Sequence, residues 1–302
     1  MNQLLPGGLI RVGTLIGGGA APDLLPKLDA LGFESFGLTF WQTTNMDTPA
    51  LKELAKKVRA RLDAKNSLIS SVGVFGNPLA PTDKNADCVK SWERVIDTAK
   101  DFGTDLVCGF AGRIVNQPIP DSMPAFKKTF GELARRAKDQ GVRIAFENCD
   151  MGGNWKTGDW NIAQGPAAWE LMFNEVPMDN LGLEWEPCHQ MVGLVDPIPQ
   201  LRKWVQKVFH VHGKDATIAW DIVKEHGTKG DRPYVWHRTP GFGDTNWNDV
   251  CTILMQSGYQ GTIDIEGYHD PVHRKELELS GQLRGLHYLK ACRGGDPIPS
   301  PF

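Results

Sequence analysis

The residues with the clearest capacity for chemistry end four apolar runs in the second half of the chain. Each is a side chain that binds metal ions well, and together they are Glu147, Glu186, His212 and Glu266. Three carboxylates and one imidazole suit a divalent cation of borderline hardness, namely Mn²⁺, Mg²⁺, Co²⁺ or Zn²⁺. If the four side chains meet, they predict a site for one such ion, with Mn²⁺ as the first choice.

Four apolar runs meet only if the surrounding chain holds them side by side. Eight short runs rich in Val, Ile, Leu and Phe are typical of strands buried on both faces, and they cover residues 9–16, 35–41, 68–75, 105–110, 143–148, 181–186, 208–212 and 262–266. Amphipathic stretches between them predict helices. In one of these stretches the apolar positions on a single face are Leu51, Leu54, Ala55, Val58 and Leu62. Gly141 and Gly258 follow two other stretches and suit the residue that ends a helix.

Eight strands alternating with helices across 302 residues predict a single (β/α)8 TIM barrel. The main alternative is an open doubly wound sheet, which normally carries a glycine-rich phosphate loop after its first strand. Gly17, Gly18 and Gly19 follow the first strand, but they lack the GxGxxG spacing and the lysine of a P-loop. We therefore predict one barrel domain over residues 1–302, with 294–302 as a tail.

A TIM barrel carries its functional groups at the C-terminal ends of its strands, which is where the four residues stand. Because side chains alternate along a strand, Glu184 and Glu186 share one face, as do His210 and His212. An inward-facing cluster of carboxylates is costly unless a cation neutralises it. The predicted fold and the predicted metal site therefore support each other.

Charge and composition argue against several classes of protein. The chain has 33 Lys and Arg against 36 Asp and Glu, a net charge of -3, so it lacks the basic character of a nucleic-acid-binding protein. No apolar stretch approaches the roughly 18 to 20 residues of a membrane helix, and no signal peptide is expected at the N-terminus. Six scattered cysteines predict free thiols in a reducing compartment, so we expect a cytoplasmic protein.

Several short motifs, taken in order, resemble the sugar phosphate isomerase/epimerase family of the xylose isomerase-like TIM barrels. They extend over most of the chain and comprise Asn77-Pro-Leu79, Glu147-Asn148, Glu186-Pro-Cys-His189, His210-Val-His-Gly-Lys-Asp215, Thr239-Pro-Gly-Phe-Gly243 with Trp247, and Ile265-Glu-Gly-Tyr-His-Asp-Pro271. The resemblance implies a metal ion bound by Glu147, Glu186, His212 and Glu266. It also implies that Glu147 and Glu266 flank the substrate and move protons, and that His189 contacts substrate oxygens.

These expectations predict an isomerase or epimerase that acts on a small sugar. Two carboxylates beside a metal-bound hydroxy-ketone can remove a proton next to the carbonyl and return it, through an enediolate. We expect Glu147 and Glu266 to be this acid/base pair. Trp41 is placed to stack on a sugar ring, as are Trp155 or Trp160. Lys214 either contacts the substrate or forms a salt bridge with Asp215 or a nearby glutamate.

Three positions depart from the pattern of the family. Glu186 stands where the family usually has Asp, which lengthens this ligand by one methylene group. Gly37 stands where a Glu is common near the end of the second strand, so we expect a hole or a different substrate contact there. Ile218 stands where some ketose epimerases have Arg, so their substrate cannot be carried over.

Other functions stay open. The same deprotonation followed by loss of a β-substituent would make the protein a lyase, for example one that cleaves 3-keto-glycosides. A non-catalytic sugar-binding barrel is a further alternative, and a homo-oligomer is compatible with the sequence. A nuclease with several zinc ions is disfavoured, because all eight histidines stand at or after position 189 and the net charge is negative. His237 and His269 fall in loops, and we expect them to face water.

Overall fold

The computed structural model describes residues 3–62, 66–80, 85–296 and 298. Ten strands run through them in chain order: β1 (Arg11–Gly17), β2 (Ser35–Trp41), β3 (Leu68–Phe75), β4 (Leu106–Gly109), β5 (Arg143–Glu147), β6 (Leu181–Trp185), β7 (Val208–Gly213), β8 (Asp215–Ile218), β9 (Val235–Arg238) and β10 (Thr262–Ile265). Strands β1 to β7 and β10 form a closed barrel in which β1 pairs with both β2 and β10, and every barrel pair is parallel. The prediction of a (β/α)8 barrel is confirmed.

Helices follow the barrel strands and cover them from outside. Over the described residues they are α1 (Ala21–Ala30), α2 (Thr48–Leu62), α3 (Cys88–Thr98), α4 (Met123–Asp139), α5 (Pro166–Glu175), α6 (Pro187–Val192), α7 (Pro197–Trp204), α8 (Trp220–His226), α9 (Trp247–Gln256) and α10 (Glu278–Cys292). The five apolar positions predicted to share a face of α2 are all buried. Gly141 and Gly258 follow α4 and α9 with φ angles of 64° and 74°, the left-handed conformation predicted for them.

The side chains of each barrel strand alternate between two environments. Those that point outward pack against the helices in the main hydrophobic core, as Phe36, Leu38 and Phe146 do. Polar side chains on β6, β7 and β10 point inward, where Glu184, His210 and Asp264 contact one another and are almost fully buried. The barrel therefore has an apolar outer layer, and its interior is polar on the side of β6, β7 and β10.

A small antiparallel sheet interrupts the barrel pattern between β7 and α9. Its strands β8 and β9 pair with each other and not with the barrel. The carboxylate of Asp215 holds the returning chain by accepting hydrogen bonds from the backbone of Thr245 and from the indole of Trp247. This insertion contacts α6 and brings His237 back toward the barrel mouth.

Two further expectations concern thiols and membranes. All six cysteines lie in the described residues and are free thiols, five of them buried. None of the helices in the described ranges combines the length and apolar character that a membrane-spanning segment needs.

Candidate active site

A cavity of about 960 Å³ opens at the C-terminal ends of the barrel strands. Residues at or next to seven of these strand ends line it, namely Gly17, Trp41, Phe75, Phe110, Glu147, His212 and Glu266. Parallel strands end together at one rim of a barrel, so residues far apart in sequence meet there. The cavity is thus the place where catalytic groups were predicted.

The structure brings the four predicted metal ligands together. One donor atom from each of Glu147, Glu186, His212 and Glu266 lies within 4.8 Å of the other three. His212 Nδ1 is 3.5 Å from Glu147 Oε1 and 3.3 Å from Glu266 Oε2. Three of the side chains are buried, and only Glu266 is partly exposed toward the cavity. We call these four residues the primary cluster.

Unsatisfied atoms in the primary cluster fit a bound cation. Oε2 of Glu186, Oε2 of Glu266 and Nδ1 of His212 are buried without a hydrogen-bond partner. Such atoms cost about 1 to 3 kcal/mol each when nothing contacts them, and more when they are charged. A divalent cation supplies both the contacts and the opposite charge, so the donor set fits such an ion.

The surroundings of the primary cluster shift the pKa values of its two candidate proton carriers, Glu147 and Glu266, in opposite directions. Burial raises the pKa of Glu147, and the carboxylate of Glu266 adds to the rise. Burial opposes ionisation of Glu266 as well, but Lys214 and His212 outweigh it and hold the pKa of Glu266 well below its usual value. Two carboxylates with such different environments can play different parts in proton transfer.

Amide side chains fix the backbone that carries Glu147 and Glu186. Asn148 donates to the carbonyl oxygen of Glu186 at 3.0 Å and accepts from its backbone N–H at 2.7 Å. Asn161 donates to the carbonyl oxygen of Glu147 at 2.8 Å. These contacts pin the ends of β5 and β6 to each other and to the loop after β5.

Beneath the primary cluster, alternating rings and carboxylates continue into the barrel. His212 Nε2 is 3.0 Å from Glu184 Oε1, and Glu184 Oε1 is 2.7 Å from His210 Nδ1. His210 Nε2 is in turn 2.8 Å from Asp264 Oδ2, and the hydroxyls of Ser35 and Ser70 donate to Asp264. We call Glu184, His210 and Asp264 the interior chain. It ties His212, on β7, to β6 and β10.

Glu184 stays ionised within the interior chain. Burial disfavours its charged form, but His212 and His210 outweigh burial and lower the pKa of Glu184 to about 2. The sequence placed Glu184 and His210 on the same faces as Glu186 and His212 but assigned them no contact. Only the pairing of Glu184 with His210 across β6 and β7 reveals their link.

Lys214 and His189 lie beside the primary cluster and line the cavity. Lys214 Nζ is 2.6 Å from Glu266 Oε1 and 3.5 Å from His189 Nε2, which is also 2.8 Å from Glu186 Oε1. Burial lowers the pKa of His189 well below its usual value, and Lys214 adds to the effect. Of the salt-bridge partners expected for Lys214, the structure shows a nearby glutamate, Glu266, and not Asp215.

Aromatic side chains form another wall of the cavity. Trp41 is 60% exposed and stacks on Trp160, with ring centroids 6.0 Å apart. Phe110 packs edge-on against both Trp41 and Phe75. Trp41 therefore presents an aromatic surface to the cavity, whereas neither Trp155 nor Trp160 is among the lining residues.

Two of the expectations drawn from the sequence are wrong. A Cβ atom on Gly37 would lie 2.7 Å from Leu15 Cδ2, so Leu15 fills the space and there is no hole. His237 does not face water: it is half-buried, lines the cavity and lies 5.1 Å from His189 by ring centroids. His269 is exposed but also lines the cavity.

Some cavity residues carried no signal in the sequence. Glu278 and Gln282 come from the first turns of α10, far from any strand end. Gln282 accepts a hydrogen bond from Thr14 at 2.6 Å and donates one to Glu278 at 3.2 Å. They reach the cavity only because α10 packs against β1 and β10.

Comparison with known proteins agrees with this geometry. A family model described as "Xylose isomerase-like TIM barrel" matches residues 25–292. An inosose dehydratase from Clostridium tetani (strain Massachusetts / E88) is 31% identical over 116 residues, which cover 36% of this chain and 38% of that protein. An inosose dehydratase from Bacillus thuringiensis (strain Al Hakam) is 28% identical over 166 residues, 53% of this chain and 51% of that protein. The matches thus span about half or less of these curated relatives.

Solved structures share the fold over nearly the whole chain. The 3-keto-D-glucoside 4-epimerase of E. coli superposes with a TM-score of 0.68 at 14% identity, covering 94% of this chain and 100% of that one. The mannonate dehydratase of Streptococcus suis serotype2 also has a TM-score of 0.68, at 13% identity, covering 97% of this chain and 99% of that one. At these identities the likeness concerns the fold alone.

Proposed function

Since the chain belongs to the family of xylose isomerase-like TIM barrels, we propose that it is a metal-dependent enzyme that moves a proton at a carbon next to the carbonyl of a sugar or a sugar-derived ketone. The observation that carries this proposal is the primary cluster, whose donor atoms lie within 4.8 Å of one another beside a large cavity. The buried, unpaired Oε2 atom of Glu186 supports the presence of the metal.

A bound divalent cation supplies electrophilic chemistry, because it polarises a carbonyl and stabilises negative charge on its oxygen. Mn²⁺ is the ion that we propose, with Mg²⁺, Co²⁺ and Zn²⁺ as alternatives. Glu147, Glu186, His212 and Glu266 would hold the ion. Glu186 fits this role in place of the usual Asp, because one of its carboxylate oxygens reaches the cluster and Oε2 has no hydrogen-bond partner.

Glu147 and Glu266 are the proposed acid/base pair. They reach His212 Nδ1 from two different strand ends, so a substrate bound over the cluster is within reach of both carboxylates. One removes the proton next to the carbonyl, and the other returns a proton to the same carbon or to its neighbour. The first outcome is epimerisation and the second is isomerisation.

Lys214 and His189 are proposed to bind substrate oxygens. The ammonium of Lys214 is buried beside Glu266 and faces the cavity, so it can donate to an oxygen that gains negative charge. His189 is neutral at pH 7 and can donate or accept a hydrogen bond. Trp41 offers a flat surface for the apolar face of a sugar ring.

Elimination is a second candidate outcome, and the curated relatives favour it. The inosose dehydratases that match the chain are named for loss of water. The first step is the same deprotonation, but a hydroxyl or another β-substituent then leaves and no proton returns to carbon. A 3-keto-glycoside would lose the substituent on its glycosidic oxygen, together with that oxygen, by the same route.

The test uses the Mn²⁺-loaded protein in D₂O with a panel of ketoses, inososes and 3-keto-glycosides. We expect deuterium at the carbon next to the carbonyl, with an epimer or isomer as product, or a dehydrated or cleaved product if elimination follows. Glu147→Gln and Glu266→Gln should each lower the rate by about 100-fold to 10,000-fold, as loss of a general acid or base does.

Glu132→Gln is the matched control, because Glu132 is exposed on α4, outside the cavity. It should exchange deuterium at the wild-type rate. Absence of exchange with every member of the panel would refute the proton-transfer reaction. Exchange at the wild-type rate in both carboxamide variants would refute the assignment of Glu147 and Glu266.

A further inference from the structure

A second group of metal-binding side chains lies in the same cavity, outside the primary cluster. It consists of Cys149, Asp150 and His189, and one donor atom from each lies within 4.8 Å of the other two. All three residues line the cavity. Cys149 and Asp150 follow β5, whereas His189 belongs to α6. The barrel thus brings a thiol, a carboxylate and an imidazole together from two separate segments.

His189 is the residue that points to a ligand at this place. Its side chain is 6% exposed, and its two ring nitrogens face different partners. Nε2 lies 2.8 Å from Glu186 Oε1, at the edge of the primary cluster. Nδ1 has no hydrogen-bond partner and lies 3.9 Å from Asp150 Oδ1. A buried ring nitrogen without a partner costs free energy unless something binds to it.

We propose that Cys149, Asp150 and His189 form a second cation site, with Zn²⁺ as the preferred ion. Zinc takes thiolate, imidazole and carboxylate ligands in a tetrahedral arrangement, and three protein ligands leave the fourth position open. Because all three residues line the cavity, a water or a substrate oxygen could supply the fourth ligand. The primary cluster has three carboxylates and no sulfur, so the two sites differ in the ions that they prefer.

The charges near the second site are compatible with a dication. The Asp150 carboxylate and the thiolate of Cys149 together neutralise it. Binding converts the Cys149 thiol to a thiolate: the S–H bond breaks, a sulfur–zinc bond forms and one proton is released to solvent. The neighbouring cation is Lys214, which lies on the Nε2 edge of His189 and is paired with Glu266 at 2.6 Å.

The proposal is independent of the reaction proposed above and is tested by metal binding alone. The full-length protein is stripped with a chelator and titrated separately with Mn²⁺, Zn²⁺ and Co²⁺. We expect one equivalent of Mn²⁺ and two equivalents of Zn²⁺ to bind. With Co²⁺ we expect a sulfur-to-metal charge-transfer band in the near ultraviolet, which the primary cluster cannot produce because it has no thiol.

Cys149→Ser keeps the size of the side chain and removes the soft ligand. This variant should bind one fewer equivalent of Zn²⁺, lose the charge-transfer band and bind Mn²⁺ as the wild type does. Cys188→Ser is the matched control, since Cys188 is buried next to His189 in α6 but lies outside the group. It should retain both the band and the second equivalent of Zn²⁺.

Two results with the wild type and Cys149→Ser would overturn the proposal. One is a wild-type protein that shows no sulfur-to-cobalt band and no thiol-dependent equivalent of Zn²⁺. The other is a band that persists in folded Cys149→Ser. If Cys149→Ser does not fold, judged by circular dichroism, Asp150→Asn serves instead and should weaken Zn²⁺ binding at least tenfold while Mn²⁺ binding stays unchanged. Equal Zn²⁺ affinity in Asp150→Asn and wild type would likewise overturn it.

Discussion

Glu184 lies one layer below the primary cluster, and its replacement by Gln tests how the interior chain supports the proposed metal site. The carboxylate lies 3.0 Å from His212 Nε2 and 2.7 Å from His210 Nδ1. A carboxylate behind a metal-binding histidine fixes the orientation of the ring and makes the metal-facing nitrogen more basic. We therefore predict that Glu184→Gln weakens metal binding although residue 184 is not a ligand.

The expected magnitude follows from the position of the carboxylate. Loss of such a supporting group typically costs 10-fold to 100-fold in metal affinity, which is about 1.4 to 2.8 kcal/mol. Stability falls as well, because Glu184 is 1% exposed and is the charge partner of two buried rings. Breaking a buried charge pair costs about 3 to 5 kcal/mol. We expect the lower end, about 3 kcal/mol, because the amide oxygen of Gln still accepts one hydrogen bond.

The assay measures Mn²⁺ affinity by calorimetry and thermal unfolding of the metal-free protein. Glu170→Gln is the control, since Glu170 is 54% exposed and pairs with the surface residue Lys203. This control should change neither quantity. A lower melting temperature for Glu184→Gln with wild-type Mn²⁺ affinity would show that the interior chain serves folding alone and refute the reasoning.

Two further predictions concern stability elsewhere in the barrel. Glu34 accepts hydrogen bonds from buried Arg293 and pairs with Lys290; burial opposes its ionisation, but these partners outweigh burial and lower its pKa. We expect Glu34→Gln to lower the free energy of unfolding by about 3 kcal/mol at pH 7. The stabilisation from a lowered pKa is fully present above the pKa of the unfolded state and is lost as the pH falls through the pKa of the folded state. The difference from wild type in urea unfolding should therefore shrink as the pH falls below about 4. Gly13→Ala should cost at least about 1 to 3 kcal/mol, since the new methyl group would overlap the carbonyl oxygen of Ser35 on β2.

Each of these two predictions has its own check. A gap between Glu34→Gln and wild type that stays constant down to pH 3 would contradict the role of its charge. For the glycine, Gly17→Ala is the matched control, because it lies on the same strand and a Cβ atom there meets nothing within 4 Å. Equal denaturation midpoints for Gly13→Ala and Gly17→Ala would contradict the packing argument.

Local sequence signals predicted most of the barrel. The strands β2 and β3 begin and end at the predicted residues, 35–41 and 68–75, because continuous apolar runs bounded by polar residues define a buried strand clearly. The sheet of β8 and β9 was not predicted, since its strands have four residues each and are only partly buried over most of their length. Short, half-exposed strands carry no apolar pattern that distinguishes them from loops.

The candidate site likewise has some features that local sequence predicts and others that depend on distant parts of the chain. The types of the four residues in the primary cluster, and their places at strand ends, are properties of the sequence, because strand ends and alternation are read from neighbouring residues. Which donor atoms meet, and which are left without partners, depends on the register between strands that are far apart in the chain. That register and the packing of the helices produce the contacts of His189, the interior chain and the filling of the space beside Gly37 by Leu15. The sequence thus determined the barrel and its ligand types, whereas the tertiary structure alone decided how the polar groups pair, since that pairing depends on distances across the barrel.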